Sequence, residues 1–336
     1  MKSILQRLGC VVALLLISAS AHAMFSGIYV FGDSLSDGGN AFIGQGFANE
    51  PFPYTDSVPS SSYAPFNVFS NGPVWVQYLA DDLGLPLSPS FIGGTNYALG
   101  GERSGELMFG ATTVAAGALG GIVGQANFAS SGGAGMLPSD ALYVINGGGN
   151  DIRRATELFS DGTITDAEAL AGIPGGATNL ANAVSLLAAA GAQTILVSNV
   201  PDVGRTPDLV GQGAAVAQLA TDLAVAFNAA LDIELMSVQG LIPSLDLIAL
   251  DTFALTSAVL DNPGAVNVTD ACTLQNGGNG CADPENYLFW DGIHPTTAAH
   301  RISADAALAA VVPLPAAGWL LLGAIGLLAG RRRAPA

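Results

Sequence analysis

Asp291 and His294, near the end of the chain, are two side chains with complementary chemistry; they stand in Phe289-Trp290-Asp291-Gly292-Ile293-His294-Pro295-Thr296. Three positions apart on a loop that enters a helix, the carboxylate can face the imidazole, fix its tautomer and stabilise its charged form. Beyond residue 23 the sequence holds just two histidines, His294 and His300. The search for a base that works near neutral pH is therefore short. His300 falls on the helix expected next and reads as a surface residue of it.

A nucleophile is the second requirement. In Phe31-Gly32-Asp33-Ser34-Leu35-Ser36-Asp37-Gly38-Gly39-Asn40, Gly32 permits a tight turn and Ser34 is expected at a helix start, where its hydroxyl stands beside free backbone N–H groups. A plain N-cap serine fits the same place. No G-x-S-x-G elbow occurs anywhere in the chain, which argues against an ordinary α/β-hydrolase. Two glycine-rich blocks complete the set. Gly93-Gly94-Thr95-Asn96-Tyr97-Ala98-Leu99-Gly100-Gly101-Glu102-Arg103 lets backbone approach a ligand closely or simply turns. In Asn146-Gly147-Gly148-Gly149-Asn150-Asp151, an asparagine carried by the glycine bend can donate to a developing oxyanion or close an Asx-turn.

These blocks follow strand-like runs. Apolar, β-rich segments recur at Ile28 to Phe31, Ala141 to Asn146, Thr194 to Asn199 and Leu245 to Leu250, with a weaker fifth at Asn96 to Leu99. Helical patterns lie between them, at Pro73 to Leu83, Asn179 to Ala190 and Ala214 to Met236, and a last one is expected from Pro295 to Ala310. Continuous apolar strands alternating with helices imply a parallel sheet covered on both faces. The fold class is α/β: one three-layer α/β/α sandwich on a five-stranded, mostly parallel sheet. Phe42 to Ser70 and Ala111 to Ser139 read as Gly-, Ser- and Pro-rich loops over the sheet edge. Ligands of such sheets bind outside the carboxyl ends of the strands, where the motifs stand.

Taken together, GDSLSDGGN, GGTNYALGGERSG, GGND and DGIHPT resemble the GDSL, or SGNH, family of esterases and lipases, in the family order and across Tyr29 to Ala310. NGPVWVQYLADDLG and NVPDVGRTP are similar to the subgroup of secreted lipases and plant GDSL esterases. The resemblance implies a flavodoxin-like SGNH fold with Ser34 as nucleophile, Asp291 and His294 as acid and base, and an oxyanion hole of the Ser34 N–H, Gly101 and Asn150. Gly100 is the rival of Gly101, because the glycine pair leaves the register open by one. The implied reaction is acyl transfer through Ser34, without a cofactor or metal. Its substrate is a lipid, short-acyl or acetylated-sugar ester. A carbohydrate O-acetyl esterase acting on exopolysaccharide is the alternative enzyme. A non-catalytic surface or matrix binding protein is the alternative class, against which the complete Ser, Gly, Asn, Asp and His set speaks.

The ends carry their own signals. Lys2 and Arg7, an apolar run from Val11 to Ile17 and small residues before Ala21-His22-Ala23 form a secretory signal peptide pattern over residues 1–23. After the expected hydrolase domain, 24–311, the sequence VPLPAAGWLLLGAIGLLAGRRRAPA couples an apolar stretch to a triple-arginine stop. This tail, 312–336, is an anchor or sorting signal. It resembles the PEP-CTERM class, with VPLPA in place of VPEP, which implies an exosortase-like transpeptidase acting near Pro315 beside the signal peptidase. Export to the periplasm, cell surface or medium follows, with membrane contact through the tail. Between the ends stand five arginines against 27 acids, a net of −22 without a lysine, so nucleic acid is excluded as a partner. Cys272 and Cys281 close a short Gly- and Asn-rich loop and are expected to pair in an oxidising compartment.

Overall fold

The computed structural model of the chain describes residues 25–45, 68–105, 121–131, 137–277 and 280–312. The expected signal peptide, nearly all of the C-terminal tail and most of the 42–70 segment lie outside these residues. Four parallel strands form the main sheet in the order β1 (Ile28–Phe31), β2 (Leu142–Ile145), β3 (Thr194–Ser198) and β4 (Asp246–Leu250). All four expected main strands are present, each within one residue of its expected bounds.

The fifth segment takes a different form. It runs along the free edge of β1, where Val30 N–H donates to Thr95 O at 3.0 Å, Tyr97 N–H to Val30 O at 2.7 Å and Leu99 N–H to Gly32 O at 3.0 Å. It registers as two isolated parallel bridges, Val30 to Asn96 on the β1 side and Pro89 to Asn96 on the other. On its far side Asn96 N–H donates to Ser88 O and Ser90 N–H to Asn96 O, at 3.0 and 2.7 Å, and Asn40 Nδ2 adds bonds to the carbonyls of Asn96 and Ala98 at 2.7 and 2.9 Å. A strand that ends in a glycine pair has little length in which to pair, so the sheet has four strands and a bridged edge.

Period-two alternation divides the strand side chains between two layers. Tyr29, Phe31, Tyr143, Ile145, Ile195 and Val197 belong to one apolar cluster, and Ile28, Val30, Leu142, Val144 and Leu196 to the other. The first is covered by α3 (Gly121–Ser131), α4 (Gly149–Ser160), α5 (Asp166–Gly172), α6 (Pro174–Ala189) and α8 (Ala214–Leu241), which follows the short α7 (Pro207–Gly211). The second is covered by α2 (Trp75–Asp82), which follows the short α1 (Asn40–Gln45), and by α10 (Thr297–Val311). Burying one such side chain stabilises by about 1.5–3 kcal/mol. A slip of one residue would turn each set toward the wrong helices, so the pattern fixes the register. The 28-residue α8 is long and apolar enough to cross a membrane, yet Leu219, Leu223, Phe227 and Leu231 bury one side of it in the core.

Several expectations need correction. The segment 111–139 is more than a loop, because α3 lies within it and packs on α6. Ser34 stands in a turn, and the first helix begins only at Asn40. Asp37 is the residue that caps that start, with Oδ1 accepting from the N–H groups of Gly39 and Asn40 and Oδ2 from that of Ala41. The last helix starts at Thr297 with Thr296 as its N-cap, so Pro295 sits one position before the cap. His300 is buried at 2% exposure. Beyond β4, α9 (Thr252–Asp261) leads to a small two-stranded sheet of β5 (Asn267–Ala271) and β6 (Tyr287–Phe289), which the sequence patterns do not reveal.

Candidate active site

The carboxyl ends of β1 and β2 and the loop after β6 converge on one cavity of about 380 Å³, whose walls include Asp33, Ser34, Asn150, Arg153 and His294. Asp291 and His294 are brought together by a tight turn in which Asp291 Oδ1 accepts the N–H groups of Ile293 and His294, at 2.8 and 2.6 Å. Its other oxygen, Oδ2, meets His294 Nδ1 at 2.7 Å. At the other end of the ring, Nε2 lies 2.9 Å from Ser34 Oγ. Three side chains from opposite ends of the sequence therefore form one continuous chain of contacts. Ser34 and His294 are each 7% exposed, so their contact is largely shielded from water.

Packing holds the ring from the side. Phe69 lies 5.1 Å from the His294 ring at 38°. Phe69 also joins a cluster with Trp290, Tyr287 and the Cys272–Cys281 disulfide. Thr273 N–H donates to Trp290 O, and Trp290 N–H to His294 O, at 2.9 and 2.8 Å. The cross-linked loop is thus bonded directly to the backbone beside Asp291. His300 belongs to a different environment on α10: burial pushes its pKa down to about 3, so it is neutral near pH 7.

The glycine-rich loop is positioned by buried acids. Asp37 Oδ2 accepts from Gly100 N–H at 2.8 Å, and Asp151 accepts both the N–H and the hydroxyl of Ser104 at 2.9 Å. Between these two pins, Asn150 Nδ2 donates to Glu102 O at 2.8 Å. Nδ2 carries a second hydrogen, and Asn150 lines the Ser34 cavity. Because Gly100 N–H is committed to Asp37, Gly101 is the member of the pair whose N–H has no acceptor among the described residues. Gly101 has φ +83°, with open space where a Cβ would stand. Gly148, at φ +105°, is the N-cap of α4, and a Cβ there would come within 2.5 Å of Phe227; this backbone presents Asn150 to the cavity.

Sequence reasoning missed these supports. Asp37 and Asp151 are both buried, and burial pushes each up to about 6 against the hydrogen bonds that favour ionisation. Asp33, beside the nucleophile candidate, is likewise pushed up to about 6 by burial, while the nearby His294 and the Leu35 N–H act the other way. Gln125, from the unexpected helix α3, clamps Gly32 with one bond to its carbonyl and one from its N–H. Each partner is far away in sequence, so spacing gives no cue. Among the described residues no group of three or more His, Cys, Asp or Glu side chains is placed to hold a metal ion.

An activated serine, an oriented imidazole and preorganised donors are the parts that acyl transfer requires. The family model described as GDSL-like Lipase/Acylhydrolase matches residues 28–307. The chain belongs to this family and is a carboxylic ester hydrolase. It is similar to a GDSL esterase/lipase of Arabidopsis thaliana, at 24% identity over 89% of this chain and 88% of that protein. It is also similar to acetylajmalan esterase 2 of Rauvolfia serpentina, at 28% over 82% of this chain and 88% of that protein. With esterase EstA of Pseudomonas aeruginosa it shares 30% identity over 85% of its own length, which covers 47% of that longer protein.

Proposed function

We propose that the chain is an exported serine esterase in which Ser34 forms an acyl-enzyme. The observation that carries this reading is the continuous contact from Asp291 through His294 to Ser34, 2.7 Å and then 2.9 Å. His294 Nε2 removes the Ser34 proton as Oγ attacks the ester carbonyl. The carbonyl oxygen becomes an oxyanion received by the N–H groups of Ser34 and Gly101 and by the second hydrogen of Asn150 Nδ2. Asp291 stabilises the imidazolium. When the tetrahedral intermediate collapses, His294 gives the proton to the departing alcohol. Water then enters, yields its proton to His294 and attacks the acyl carbonyl, and the acid leaves while Ser34 regains its hydrogen. Export rests on the leader pattern of residues 1–23, and retention at the membrane or transpeptidase processing rests on the tail 312–336.

Labelling with a fluorophosphonate tests the assignment. One serine should react, and the label should vanish in Ser34→Ala. Labelling that persists in this variant removes Ser34 as the nucleophile. For the termini, mass spectrometry of protein from the native host should find a chain that begins at Met24. Recovery of the intact leader on the mature protein would remove the export reading.

A further inference from the structure

Between residues 24 and 311 the chain carries five arginines, and one of them stands in a wall of the Ser34 cavity: Arg153, three positions after Asn150 on α4. The other four are engaged by acids. Arg154 lies 3.2 Å from Glu157, Arg205 2.6 Å from Asp261, and Arg301 2.7 and 2.5 Å from Asp82 and Asp305, while Arg103 acts on the buried Asp151. Arg153 has only a loose pair with Asp208, at 3.9 Å and beyond hydrogen-bond range. With the two side chains 34% and 39% exposed, such a pair adds little to stability. The Arg153 guanidinium makes no hydrogen bond to a described residue.

This loose pair joins the two sides of the site. Arg153 shares α4 with the oxyanion donor Asn150, and Asp208 lies in the first turn of α7, its N–H donating at 2.9 Å to Gly292 O inside the Asp291–His294 turn. The remaining polar walls of the cavity have other duties. Ser34, Asn150 and His294 serve acyl transfer, the Thr206 hydroxyl donates to Val203 O at 2.7 Å, and Asp33, 3% exposed, accepts the Leu35 N–H at 3.0 Å.

We infer that Arg153 receives an anionic group of the substrate, a carboxylate or a phosphate, while the ester carbonyl sits against Ser34; the inference rests on the acyl-transfer reading of Ser34. Guanidinium presents a planar fork of donors that matches two oxygens of either anion. An anion in the cavity exchanges the loose Asp208 pair for direct charge-assisted bonds, whereas a neutral ester leaves the pair as it is. On a helix, Cβ atoms three positions apart lie about 5–6 Å from one another. A charge a few bonds from the ester carbonyl therefore reaches Arg153 while Asn150 meets the oxyanion. The acidic surface of the domain repels anions at long range, but screening confines that repulsion to about 10 Å at 0.1 M salt, so recognition falls to the contact itself.

Three ester pairs that differ in charge test this on the full chain at about 0.1 M salt. They are p-nitrophenyl hydrogen glutarate against p-nitrophenyl methyl glutarate, 2-acetoxyacetate against 2-acetoxyacetamide, and 1-acetylglycerol 3-phosphate against 1-acetylglycerol. In at least one pair kcat/KM should favour the anion about ten-fold or more, the scale of hydrogen bonds to a charged group. The pair that responds shows whether the anion is a carboxylate or a phosphate, and whether it belongs to the acyl or the alcohol side. Arg153→Met should abolish the preference, and Asp208→Asn, which removes the competing acid, should raise it. Should Arg153→Met not fold, Arg153→Gln and Asp208→Asn make the same test. Hydrolysis of the neutral esters with no anion preference in any pair overturns the inference and leaves acyl transfer intact. A preference that survives loss of the arginine, or does not rise in Asp208→Asn, overturns it equally. Failure to hydrolyse any of the six esters removes the underlying reading and this inference with it.

Discussion

The two halves of the site are held in different ways. On the base side, Asp291 spends both oxygens within its own turn and on His294, and a nearby disulfide loop ties down the backbone. On the oxyanion side, the Gly100 to Ser104 loop is held by Asp37 and Asp151, carboxylates carried by the segments that follow β1 and β2 and buried by the fold. A local turn orients its histidine through bonds made within three residues of chain. A loop fixed through buried charges is ordered only when the whole sheet has formed, and it carries the cost of ionising acids out of water.

The two sides should therefore fail differently, and the largest difference is in the chemistry. His294→Ala removes the proton acceptor and should reduce kcat by about 10⁴-fold or more, since loss of a triad member has effects of this size. A variant within ten-fold of the parent would show that the base lies elsewhere. On the opposite side, Asn150→Ala should reduce kcat by about 10²-fold with a smaller change in KM, because the amide meets charge that develops only during attack. Unchanged kcat would make Asn150 a structural turn residue.

A difference in pH response sharpens the comparison. Asp33, Asp37 and Asp151 are raised from 3.8 to about 6 by burial. A raised folded pKa means that the native state holds protons the unfolded chain has released, so the stabilising contribution is complete below about pH 4 and is lost as pH rises through about 6. For each acid the loss is at most roughly 3 kcal/mol. Urea unfolding followed from pH 4 to pH 7 should show stability falling with pH, and Asp37→Asn should flatten that fall. Equal slopes in parent and variant would exclude Asp37 as a source.

The smallest effect belongs to the cross-link. Cys272→Ala with Cys281→Ala should lower stability by at most about 2–3 kcal/mol, the scale for so short a loop. Loss of activity in a folded double variant would show that the loop positions Asp291 and His294 rather than merely adding stability. Mass spectrometry of thiol-blocked, non-reduced protein that finds two free thiols would contradict the pairing itself.

The same contrast explains what the sequence makes legible. Asp291 and His294 are three residues apart and positioned by a local turn, so their pairing is readable from spacing alone. The four main strands are equally plain, because continuous apolar runs have few other uses in a chain with these helices. Contacts between distant segments leave no such pattern. Nothing at Gln125 announces that it grips Gly32, and nothing at Asp37 announces its bond to Gly100. That bond distinguishes the two glycines by occupying the Gly100 N–H, and no pattern around Gly100 and Gly101 shows it. The burial of His300 is illegible for a related reason: an Ala-rich helix has weak amphipathic contrast, so its inner face is hard to tell from its outer one.

The central claim is that both halves of the site act on Ser34. Rapid acid quenching of the protein during turnover of a p-nitrophenyl ester, followed by peptide mapping, tests it directly. The account predicts an acyl adduct on the peptide that contains Ser34, which should become undetectable in His294→Ala on the same time scale. An adduct on any other residue, or turnover with no acyl-enzyme at any quench time, would contradict it.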